Sequence, residues 1–117
     1  MQILDEIESV LKEYDSHVFY GTASKLNKND SWDYIVFARD NVSLSTNHTS
    51  LTHHFAIAIV REDYVPEGLM EEITARLKEI PGMRIDGDIL FDYMVKPGST
   101  DTVEMMVIRC YKAVKNG

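Results

Sequence analysis

The chain has 117 residues, 44% hydrophobic and 26% charged, which fits one globular domain, residues 1–117, and excludes a disordered composition. A formal charge of −7 and a pI near 4.9 argue against a surface that wraps nucleic-acid phosphates, since such binding needs clustered Lys and Arg. No run approaches bilayer length, the acidic start MQILDEIESVLKEY lacks the features of an export signal, and the lone Cys110 can form no internal disulfide, so a reducing cytoplasm is expected.

In chain order, Ile3, Leu4, Ile7, Val10, Leu11 and Tyr14 share one face of an amphipathic helix expected from Gln2 to Tyr14. Asp15-Ser16-His17 would end it, and His17 to Tyr20 is a short apolar piece able to enter a sheet. Gly21 to Ser31 is small, polar and turn-prone, hence an exposed loop. Trp32 to Ala38 is aromatic and β-branched, a strand. Arg39-Asp40-Asn41 reads as a turn, and Val42 to His48 as a thinner strand with one polar face, suited to an edge or a protruding hairpin. Leu51 to Val60 alternates Leu51, His53, Phe55, Ile57 and Ile59 against Thr52, His54, Ala56, Ala58 and Val60, which predicts a nearly two-sided strand. The period then changes. Leu69, Met70, Ile73, Leu77 and Ile80 form one helical stripe, with acids early, bases late and Pro81-Gly82 as a stop. Met83 to Val95 carries a further strand signal bent at Asp86-Gly87-Asp88, Lys96 to Asp101 is a hairpin turn, and Thr102 to Val114 is the last strand. The expected fold is α+β: a mainly antiparallel sheet of about four to five strands with two helices packed on one face. Pattern alone leaves open whether the second helix makes a parallel crossover.

Chemistry-bearing residues are sparse. His48, His53 and His54 lie close together, but neighbours in a strand point to opposite faces, which defeats a three-ligand metal site. Cys110 sits in an apolar strand, as a structural cysteine would. Asp86 with Asp88, and Glu62 with Asp63, are paired carboxylates in polar turns, where desolvation for acid–base work is not expected. The glycines are isolated, so there is no phosphate-binding loop. Trp32, Tyr34 and Phe37 have no interleaved bases and read as core residues. Met83, Met94, Met105 and Met106 gather toward the C-terminal hairpin, equally suited to core filling and to an adaptable partner surface. No catalytic, cofactor-binding or metal-binding residue is expected.

The order of elements, with WDYIVFARD, then HHFAIAIVREDYVPEGLMEEITARL, then DILFDYMVKPGSTDTVEMMVIRCYKAV, resembles small prophage proteins of the tail-terminator or tail-completion type. The resemblance covers most of the chain and rests on element order, so no functional residue is carried over position by position. It implies a non-enzymatic structural protein, made in the host cytoplasm and built into the virion tail. There it would form a homo-oligomeric ring, a hexamer, at the head-proximal end of the tail tube, meeting tail-tube and head-connector proteins. DNA would pass its lumen without specific binding, helped by the negative charge. A closing ring needs two different complementary patches on each subunit. The thin strand and the two polar loops supply the interface or lumen candidates Lys25, Lys28, Val42, Leu44, Thr46, His48, Lys96 and Asp101. Another neck or tail component, head completion or tube, and a small regulatory binding module are the alternative readings.

Overall fold

The computed structural model describes residues 2–23, 31–44 and 50–115. Helix α1 spans Ile3–Leu11 and buries Ile7, Val10 and Leu11. It ends three residues before Tyr14 because the chain tightens there: Glu13 N–H donates to the Val10 carbonyl and Tyr14 N–H to that of Leu11, a 3₁₀ pattern. Asp15 then caps the turn, its carboxylate accepting from His17 N–H at 2.8 Å and pairing with Arg61 at 3.0 Å.

Strand β1 (Val18–Tyr20) lies parallel to β2 (Tyr34–Leu44), and β2 lies antiparallel to β3 (Ser50–Glu62). The turn expected at Arg39-Asp40-Asn41 is not there. β2 runs straight through it, with Arg39 opposite Phe55, Asn41 opposite His54 and Asp40 as the extra residue of a bulge. Three polar residues look like a turn locally, but pairing with β3 on either side absorbs the surplus residue. The expected strands Trp32–Ala38 and Val42–His48 are therefore one element from Tyr34 as far as Leu44, the remainder lying outside the described residues.

Past Asp63, Val65 and Pro66 lead to α2 (Leu69–Lys78), which starts at Gly68, with its φ of 88°, and buries Ile73 and Leu77. The 83–95 segment is two strands, β4 (Met83–Ile85) and β5 (Leu90–Val95), both antiparallel to β6 (Thr102–Lys115). β4 pairs with Cys110 to Lys112 and β5 with Thr102 to Val107, so the Asp86–Ile89 bend interrupts a single edge. The sheet order is β1-β2-β3-β6-β4, with β5 also on β6. Since β3 and β4 are both antiparallel to β6, they run parallel to each other, and α2 makes a crossover that leaves one strand between them.

The core follows the alternation. Ile35 and Phe37, Phe55, Ile57 and Ile59, and Met106, Ile108 and Cys110 occupy paired positions on one face and cluster with Ile7, Val10, Leu11, Ile73 and Leu77. The expectation of about four to five strands with two helices packed on one face needs correction. The protein is mostly sheet, with six strands in one sheet. β1 falls in the His17 to Tyr20 piece read as able to enter a sheet, while the single strand signal over 83–95 is divided by the bend into β4 and β5. Helices of nine and ten residues reach only about 14–15 Å, against a longest molecular dimension of 51 Å. They do not form a layer over the sheet, and its distal strands extend beyond them.

Candidate interaction surfaces

The alternation that builds the core also decides what remains bare. Residues paired across strands share a face, so Val42 (opposite His53) and Leu44 (opposite Leu51) lie on the same face as Phe55. They sit far along β2, however, and are 52% and 57% exposed. Val114, opposite Leu51 on β6, is exposed beside them. Together they form an apolar strip on a three-stranded arm. Among the described residues no strand pairs with the outer side of Arg39 to Leu44.

The opposite edge is barer still. Every residue of β5 is exposed, including Leu90, Phe91, Tyr93, Met94 and Val95. Phe91 adjoins a surface cavity bordered by Val65, Pro66, Met70 and Met106. Beside β5, opposite Tyr93, lies Glu104, the one polar residue buried among those described, which accepts the Val65 N–H at 2.7 Å. The Tyr93 phenol also bonds this carboxylate, which holds the phenol pKa above its ordinary value. This network ties β5, β6 and the approach to α2 together.

One constellation has a catalytic order of atoms. Ser43 Oγ is 3.1 Å from His54 Nε2, and His54 Nδ1 is 3.6 Å from Asp86 Oδ2. The second gap is an ion-pair separation longer than a good hydrogen bond. Ser43 is exposed and the Asp86 side chain is 47% exposed, so water competes for the imidazole and for any charge developing on a substrate. With the His54 ring tilted against Tyr111 at 5.7 Å, the row acts as a polar clasp across β2, β3, β6 and the β4–β5 bend. Sequence reasoning paired none of these residues with another, because only the strand register brings them together.

Two other titratable groups, Cys110 and Glu62, have surroundings that fix their charge state. Cys110 is fully buried and its thiol is pushed up to about 12 by burial, which removes the thiolate a nucleophile requires. Glu62 accepts from Lys96 Nζ at 2.6 Å and Trp32 N–H at 3.0 Å, and these donors, Lys96 first, hold its carboxyl below the usual range. Among the described residues no group of three or more His, Cys, Asp and Glu is placed to hold a metal ion. No helix among them is long and apolar enough to cross a membrane.

Of the expected interface residues, Val42 and Leu44 are exposed on the arm. Asp101 is exposed in the β5–β6 turn, where its carbonyl accepts the Lys96 N–H, while the Lys96 side chain is turned to Glu62. Lys25, Lys28, Thr46 and His48 lie outside the described residues. The four methionines divide: Met83 and Met106 are core, Met105 is half-buried and Met94 is exposed. The apolar surface of β5 was missed: its sequence is apolar but for Asp92, and only the strand order places it at an edge. No protein-family model and no curated protein matches this sequence.

Proposed function

We propose that this chain is a non-enzymatic structural subunit that works by self-association, as a phage tail-terminator or tail-completion protein does when it closes a ring, a hexamer, on the tail tube. The observation that carries this reading is β5, an edge strand whose residues are all exposed and mostly apolar. Monomeric proteins usually blunt such an edge with charge, Pro or a covering element. Here the strand is held firmly in place by the Glu104 network instead, so it is displayed, not merely unprotected. A second bare apolar strip at the opposite edge of the sheet gives the two unlike patches that a head-to-tail ring uses. The acidic balance of the chain would keep DNA from adhering inside such a ring. The subunit would assemble in the host cytoplasm and end in the virion tail, between tail-tube and head-connector proteins.

The test is mass in solution by light scattering across a wide concentration range, with negative-stain images and a parallel pull-down on tail-tube protein. Closed rings, or capture onto tubes, support the reading. A 13.4 kDa monomer at every concentration that also ignores tail tubes refutes it.

A further inference from the structure

We infer that the subunit contact is a continuation of the β-sheet, in which β5 (Leu90–Val95) of one copy pairs antiparallel with the outer edge of β2 of the next, Arg39 to Leu44, which no strand among the described residues pairs. This rests on the self-assembly reading above and specifies its interface.

Four features of the fold lead to it. The first is polarity. β2 and β6 are both antiparallel to β3, and β5 is antiparallel to β6, so β5 runs opposite to β2. Rotating a copy about an axis along the strands therefore sets β5 antiparallel to its neighbour's β2, extending the pattern of hairpins already present. Length is the second, since both free edges are six residues long. Third, the faces match. Phe91, Tyr93 and Val95 pair with Met106, Glu104 and Thr102, so they lie on the core side of the sheet, as do Val42 and Leu44 on β2. Joined at this edge, the apolar strips of two copies form one surface.

Charge and area supply the fourth. A symmetric β5–β5 pair would bring the two Asp92 carboxylates to neighbouring positions, which is unfavourable. On the face that carries Asp92, the β2 edge presents the uncharged Asn41 and Ser43. The five large apolar side chains of β5, each about half exposed, present on the order of 500 Å², near the upper end of what a monomer leaves bare. A standard interface takes about 800 Å² per partner. Backbone pairing and the Val42, Leu44 and Val114 strip on the receiving copy bring the contact into that range. Each copy spends one edge on each neighbour, so the association is heterologous and closes only by returning to its start.

The experiment uses two variants of the full chain, each altered only at exposed positions. One carries Met94→Lys and Val95→Lys, the other Val42→Lys and Leu44→Lys, lysine being what natural edges use against pairing. Mass is read by light scattering beside the wild type, with urea midpoints checked for unchanged folding. The expected result is an oligomeric wild type and two variants that each stay at 13.4 kDa. Mixed in equal amounts, the variants should form a one-to-one dimer and nothing larger, because the mixture holds a single competent β5–β2 pair. Variants that keep the wild-type mass would overturn this interface and leave the self-assembly reading standing. A β2 variant that still dimerises alone would replace it with β5–β5 pairing. A wild type that is monomeric throughout overturns this contact and, if it also ignores tail tubes, the self-assembly reading with it.

Discussion

Glu104 is the position at which the structure makes its sharpest energetic claim. Replacing it by Ala removes the acceptor for the Val65 N–H, at a site where Glu104 and Val65 are each only 9% exposed. A buried donor left unpaired costs about 1–3 kcal/mol, and a hydrogen bond to a charged group contributes about 1.5–3 kcal/mol. The Tyr93 hydroxyl loses its partner at the same time. Since these terms overlap, the expected loss is about 2–3 kcal/mol. Glu104→Gln keeps a carbonyl oxygen for the Val65 N–H and should cost about 1 kcal/mol. Urea unfolding followed by far-UV circular dichroism and Trp32 fluorescence measures both. With a slope of about 1–3 kcal/mol per molar urea, the Ala midpoint should fall by roughly 0.7–3 M. Ultraviolet titration of the tyrosines adds an independent check. The raised Tyr93 phenol should return toward its ordinary value in the Ala variant, because no carboxylate then favours its protonated form. An Ala variant that unfolds at the wild-type midpoint, or a Gln variant as damaged as Ala, would refute the argument that the carboxylate holds β5 and the α2 approach together.

Two further outcomes follow from the buried and paired groups. Cys110, fully buried with its thiol pushed up to about 12, has roughly one part in ten thousand thiolate at pH 8. A disulfide reagent should therefore label it only as fast as the protein unfolds, and prompt stoichiometric labelling of the native protein would contradict its placement. Glu62 has its folded-state pKa depressed, by Lys96 first and Trp32 N–H second. Its stabilisation is present above the unfolded carboxyl value of about 4.3 and is lost as pH falls through the folded value. Thermal melts from about pH 6 to pH 2.5 should thus fall less steeply for Lys96→Met than for the wild type; identical slopes would dismiss the ion pair as a contributor.

What the sequence determined by itself is local pattern. The alternation from Leu51 to Val60 needs only the two-residue period of a strand, and Phe55, Ile57 and Ile59 are buried accordingly. The stripes of α1 and α2 likewise follow from the 3.6-residue period, with ends misplaced by up to three residues where the backbone tightens. Tertiary structure decided the rest. Whether Arg39-Asp40-Asn41 turns the chain or bulges depends on whether β3 pairs on both sides of it, which is a non-local fact. The parity of β5 was legible, but its exposure was not. An apolar strand is core in the middle of a sheet and interface at the edge, and only the strand order β1-β2-β3-β6-β4, with β5 beside β6, places it there. Ser43, His54 and Asp86 meet for the same reason, since register carries residues far apart in the chain to within hydrogen-bonding or ion-pair reach. Period is set by each residue's own backbone geometry, whereas edges and neighbours are set by the competition of every strand for a partner.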